Sequence, residues 1–161
     1  MTPMLINGAD PSRILAALRR GVEAEQIISV PVRCEARAAD RTNPWLIVQQ
    51  ILWNPAVYEA FGISSLPTRF HFDSARGLEV IGSLANLLSR ETMTSFVEDI
   101  DEAISEARRF LDAFYLKSYF GAVAFTCREP WCEWFESSIL NETVIIGNGR
   151  DWWVLAVQWE D

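Results

Sequence analysis

The run Trp152-Trp153-Val154-Leu155-Ala156-Val157 is apolar at every position, and it limits the architecture more than any other stretch. A strand turns successive side chains to opposite faces, so a strand with one wet face alternates apolar with polar residues. This run does not alternate. It therefore needs cover on both faces and a place inside a sheet. Residues 143–146 before it read as a partner strand, and Gly147-Asn148-Gly149 between them tolerate the positive φ of a tight turn. Residues 143–159 thus read as a hairpin whose second strand, 152–159, is interior.

Two other stretches do alternate. In residues 26–37, Ile28, Val30, Val32, Cys34 and Ala36 share one side, while Ser29, Pro31, Arg33, Glu35 and Arg37 share the other. This is the pattern of a half-buried strand. Pro31 has no N–H for a ladder, which puts the strand at an edge or turns that position away from its neighbour. Further on, Arg69, His71 and Asp73 alternate with Phe70 and Phe72, predicting a half-exposed strand. Residues 73–77 then supply turn chemistry, and 78–81 read as the returning arm of a hairpin. Residues 122–127 read as a further strand.

Helices are signalled by their starts. Asp10-Pro11, Asn43-Pro44 and Asn54-Pro55 each place a capping side chain before a residue preset for the first helical turn. They predict a helix with Ile14, Leu15 and Leu18 inward that ends at Gly21, one over 44–53 carrying Trp45, Val48, Ile51 and Leu52, and one over 55–61 that stops at Gly62. Residues 82–88 read as a short helix. The longest periodic stretch is 89–120, where Phe96, Ile100, Ala103, Ile104, Ala107, Leu111 and Phe114 recur at steps of three and four. That spacing predicts one long amphipathic helix, about 90–118. Residues 128–138, with Pro130, Trp131, Cys132, Trp134 and Phe135, read as a short helix or an aromatic loop. These elements predict a single α+β domain over residues 1–161, with a mostly antiparallel sheet of about five or six strands packed against helices.

Composition narrows the classes of function. With 161 residues, 50% of them hydrophobic and seven of them Trp, the chain can bury a core without disulfides or metals. Fourteen basic against 22 acidic residues give a net charge of −8, which repels nucleic-acid phosphates and anionic lipid. A basic partner suits it better. The first residues lack the basic start and apolar run of a secretory signal, and no stretch approaches the roughly 18 apolar residues of a membrane span, so a cytoplasmic location is expected. Cys34, Cys127 and Cys132 are odd in number and contain no CxxC pair, which argues against a disulfide framework.

Candidate chemistry is sparse. His71 is the single histidine, and a dyad with one of the cysteines has no nucleophile turn to support it. One histidine and a C-x4-C pair do not make a zinc site, and carboxylates spread along a helix do not wrap a cation, so no metal or cofactor is expected. Gly147-Asn148-Gly149 lacks the Lys-Ser/Thr of a phosphate loop. Glu129, Glu133 and Glu136 lie among Trp residues and offer a carboxylate site for a sugar-like ligand.

The least generic feature is the acidic face of the long periodic stretch. Glu98, Asp99, Asp101, Glu102 and Glu106 follow one another, with no Lys or Arg between Glu91 and Ala107. Within a helix starting near residue 90, the i,i+4 pairs Glu98/Glu102 and Glu102/Glu106 each cost about 0.2–0.5 kcal/mol. Glu102 and Glu106 would also lie too deep for the helix dipole to favour them, and only Arg109 offers relief. The expectation is a docking surface for a basic protein, with Trp131, Glu133 and Trp134 as secondary contacts. By analogy of size and charge with immunity proteins and antitoxins, the chain reads as a non-catalytic binding protein that neutralises or chaperones a basic, toxin-like partner. The alternatives are a small enzyme using the Cys/His pair or the tail carboxylates, and a structural homo-oligomeric subunit.

Overall fold

The computed structural model describes residues 5–34, 43–65, 67, 70–89, 99–135 and 140–159. The apolar run lies in β5 (Asp151–Trp159), between β1 (Ile27–Arg33) and β4 (Leu140–Gly147). Next to β4 come β3 (Val123–Cys127) and β2 (Asp73–Arg76), which complete a sheet of order β1-β5-β4-β3-β2. All four pairings are antiparallel. Residues 152–159 are buried throughout. The alternation of the strand explains why. Trp153, Leu155 and Val157 join Val144, Ile146 and Ala124 in a core beneath α1 (Ser12–Leu18), α4 (Glu79–Leu88) and α5 (Ile100–Phe114). Trp152, Val154 and Ala156 join Ile145, Phe125, Val30 and Val32 against α2 (Pro44–Leu52) and α3 (Pro55–Phe61). The result is an α+β fold with helices on both faces of an antiparallel sheet.

Local chemistry explains most boundaries. Asn43 Oδ1 accepts the Trp45 N–H at 3.1 Å and Asn54 Oδ1 accepts the Ala56 N–H at 3.0 Å, so both Asn-Pro pairs open helices. Gly62, at φ 62°, ends α3 in the left-handed region. Pro31 is exposed on β1, an edge strand, where its missing donor breaks no interior ladder.

Three expectations need correction. The half-exposed strand at 69–73 is absent from its described part. Pairing begins at Asp73 and continues to Arg76, through the expected turn, and residues 78–81 do not return as a strand. Gly77, at φ 60°, takes the chain out of the sheet, and Val80, Leu84, Leu87 and Leu88 then recur at helical spacing in α4. The long helix is also shorter than its periodicity. Asp99 is extended, at φ −108° and ψ 124°, and its side chain accepts the Asp101 N–H at 2.9 Å, so α5 starts at Ile100. Leu116 and Lys117, at φ 49° and 60°, lie beyond its end at Phe114. Residues 90–98, with Phe96 and Glu98, lie outside the described residues. Ile100 is 60% exposed, and the buried stripe is Ala103, Ala107, Phe110, Leu111 and Phe114. Finally, β1 ends at Arg33, with residues 35–37 of the expected strand outside the described residues; the described part of 128–138 agrees with its expectation, a loop with one 3-10 turn, Glu133–Phe135. Among the described residues, no helix is long and apolar enough to cross a membrane.

Candidate functional site

The short α5 changes the meaning of its acids. Asp99 is the capping residue, and Asp101 and Glu102 occupy the first turn, where the exposed N–H groups and the helix dipole favour negative charge. The premise that Glu102 lay too deep for this effect is therefore corrected. Glu106 has a partner from another helix: Arg13 Nε donates to its Oε2 at 2.9 Å, and a second Arg13 nitrogen donates to its Oε1. The Arg13 hydrogen bond holds the Glu106 carboxyl below its ordinary range, with nearby Arg109 and Arg20 acting in the same direction. Glu98 lies outside the described residues.

The aromatic candidates serve packing. Trp131 is buried, and its Nε1–H donates to Thr143 Oγ1 at 2.8 Å while its ring sits 4.8 Å from that of Phe61. Trp134 meets Phe61 and Phe135 edge-on. Glu133 accepts the Ser64 hydroxyl at 2.6 Å and the Ser64 N–H at 3.3 Å, and these bonds lower its pKa. The three thus fasten residues 131–135 to α3 and the loop after it. Glu136 lies outside the described residues, and Glu129 belongs to a different place.

That place is a polar cleft of about 280 Å³ lined by His71, Asp73, Ser83, Asn86, Thr126, Cys127, Arg128, Glu129 and Glu142. Sheet register builds it. Asp73 stands opposite Thr126, and Cys127 opposite Thr143, so Glu142 falls beside the chain leaving β3. Thr126 and Glu142 share parity with Ala124 and Val144, on the face covered by α4, and α4 turns Ser83 and Asn86 to this end. Glu142 is only 2% exposed. Its Oε1 lies 3.8 Å from Nε of the outlying Arg128. At the rim, His71 Nε2 lies 3.3 Å from Asp73 Oδ1.

The cleft carries three carboxylates against one guanidinium, so its field favours a cation. The thiol chemistry points the other way from nucleophilic catalysis. Cys127 is buried, its Sγ–H donates to the Glu129 carbonyl at 3.4 Å, and burial pushes its pKa up. Cys132, outside the cleft, is pushed up to about 11 by burial. Cys34, Cys127 and Cys132 form no disulfide.

Of this cleft, sequence reasoning singled out His71, Cys127 and Glu129, and missed Ser83, Asn86, Arg128 and Glu142. Two signals were available. Glu142 is a carboxylate on the parity of Val144 and Ile146, and Ser83 and Asn86, three apart, interrupt the apolar residues of α4. At the opposite end of the sheet, an apolar groove of about 360 Å³ is lined by Ile47, Val123, Phe125 and Trp152, with Phe120 98% exposed at its side. Comparison with known protein families, with curated proteins and with solved structures finds no match to this chain.

Proposed function

We propose that this chain is a non-catalytic acidic binding protein, acting in the cytoplasm, that captures a basic protein partner and neutralises or chaperones it. The observation that carries the reading is that two sets of carboxylates lie toward one end of the fold. The Tyr115 hydroxyl donates to the Gly147 carbonyl at 2.9 Å, which holds the C-terminal end of α5 over the β4–β5 turn. Glu102 shares a groove with Arg13 and Arg20, and the chain after Arg20 enters β1 at Ile27, opposite Val157, so the N-terminal end of α5 lies toward the end of the sheet where β4 starts, with these two basic residues beside it. Asp73, Glu129 and Glu142 surround the cleft at that same end. On a chain of net charge −8, such a concentration speeds encounter with a positive surface and disfavours acidic competitors. Immunity proteins and antitoxins are the analogy for such a role. The burial of Cys127, which pushes its thiol pKa up, weighs against the Cys/His enzyme reading.

The test is co-purification of the full chain with its endogenous partners at low salt, beside the variant Asp73→Lys, Asp101→Lys, Glu102→Lys. All three positions are exposed, so the variant should fold. Glu106 is left alone because its bond to Arg13 joins α1 to α5. A basic protein retained by the wild type and released by the variant supports the proposal. Equal retention by both overturns it.

A further inference from the structure

The row of the sheet beside the β4–β5 turn combines a cation with an apolar floor. Directly opposed residues of an antiparallel sheet share a face, and the register sets Arg76, Val123, Gly147, Trp152 and Val32 side by side across all five strands. Gly147 has no side chain, and the Trp152 ring lies over it. The row therefore runs from a guanidinium on the edge strand β2 onto apolar surface. Ile47 of α2 and Phe120 flank that surface, and the groove of about 360 Å³ lies among them. Such a volume, lined by apolar side chains with a few polar groups, is the usual build of a small-molecule site.

The groove's charge is opposite to that of the chain. Arg76 is the one ionisable residue in its described lining, on a chain of net charge −8. Among the described residues no ion pair reaches the Arg76 guanidinium. Glu79 accepts the Arg76 main-chain N–H at 3.5 Å instead, and Asp151 beside the turn pairs with Arg33 at 3.4 Å. Asn148 Oδ1 accepts the N–H groups of Arg150 and Asp151 at 3.2 Å and 3.1 Å, so the part of that side chain still able to bond is the donating Nδ2. Glu142, at the acidic end, is five residues along β4 from Gly147. That is roughly 17 Å at the rise of a strand, about two Debye lengths at physiological salt. A single guanidinium matches a single carboxylate, which it can hold through two parallel hydrogen bonds. Phe120, 98% exposed, is aromatic surface that the fold itself leaves uncovered.

We infer that this groove binds a small aromatic carboxylate, with its acid group on Arg76 and its ring against Phe120, Ile47 and Val123. The site stands apart from the acidic end and does not rest on capture of a basic partner.

The experiment is amide NMR on the full chain, titrated with 2-naphthoate, with neutral 2-naphthamide and with acetate. Naphthoate is expected to shift the Arg76, Gly121, Val123 and Gly149 amides saturably, with naphthamide and acetate each weaker by about tenfold or more. Arg76→Gln, at an exposed edge position, is expected to weaken naphthoate about tenfold and to leave naphthamide unchanged, which separates loss of charge from loss of the groove. Phe120→Ala removes a side chain that packs on nothing in the fold, and is expected to weaken both aromatic probes by about fivefold. The absence of a saturable shift, equal binding of acid and amide, undiminished naphthoate binding in Arg76→Gln, or shifts reproduced by acetate at the same concentrations overturn the proposal. Shifts of the same amides on raising the protein concentration without a probe would also overturn it, by assigning the groove to a second copy of this chain.

Discussion

Among the described glycines, Gly147 leaves no room for a Cβ. A Cβ there would lie 2.2 Å and 2.3 Å from Cε3 and Cδ2 of Trp152, and 2.8 Å from the Asp151 carbonyl oxygen. The Trp152 ring cannot retreat cheaply, because it is buried against Phe125 and its Nε1–H donates to the Cys34 carbonyl at 3.3 Å. Gly147→Ala is therefore expected to destabilise the fold by about 1–3 kcal/mol, the usual cost of overpacking, and urea unfolding measures it. The same shift would disturb the carbonyl that receives the Tyr115 hydroxyl. Arg13 and Glu106 provide a residue-scale prediction in pH. The Glu106 carboxyl is depressed in the folded chain, so its contribution is present above the ordinary carboxylate pKa and disappears as pH falls through the depressed folded value. Arg13→Ala should lower stability slightly at neutral pH, since the Arg13 side of the pair is 60% exposed and screened by solvent, and the gap from wild type should close in acid. In the same variant the Glu106 carboxyl should titrate back toward its ordinary value by NMR.

Among the elements, α5 shows where periodicity stops being informative. Phe96 and Ile100 continue the three-and-four spacing of Ala103 and Ala107, so hydrophobic pattern alone runs the helix back through Asp99. What ends it is one side chain bonding one N–H, and in an acid-rich run nothing in the pattern singles out that Asp from its neighbours. Asp99→Ala should cost about 1 kcal/mol and lower helicity by circular dichroism, whereas exposed Ser105→Ala in the same helix should not. The elements that were legible had unambiguous punctuation: the Asn-Pro starts of α2 and α3, the Gly62 stop, and the double-faced apolar run of β5. Residues 78–81 were not, because Leu78, Val80 and Ile81 fit a strand arm as well as a helix, and the choice depends on Gly77 turning the chain out of the sheet. The cleft was harder still. Its walls come from α4, β2, β3 and β4, and Asp73 meets Thr126, or Arg128 meets Glu142, only through a register that no local spacing encodes.

For the molecule as a whole, the acids divide into two physical classes, and their kinetic effects should divide with them. Asp73, Asp101 and Glu102 are exposed, so they act through a field that salt screens over a Debye length of about 8 Å at physiological ionic strength. Charges of that kind govern the rate of encounter. Glu142 is 2% exposed and pairs with Arg128, so it contributes to the packing of this end and little to the field outside the fold. Once a basic partner is in hand, association and dissociation can be read separately by surface plasmon resonance across a salt series. Asp73→Lys, Asp101→Lys, Glu102→Lys is expected to slow association by about tenfold at low salt and to flatten its salt dependence, with dissociation nearly unchanged. Glu142→Gln is expected to leave association and its salt slope in place, because the charge it removes is buried and paired. If Glu142→Gln slowed association as much as the charge reversals did, the buried carboxylate would be one more member of the negative field, and the division by exposure would fail.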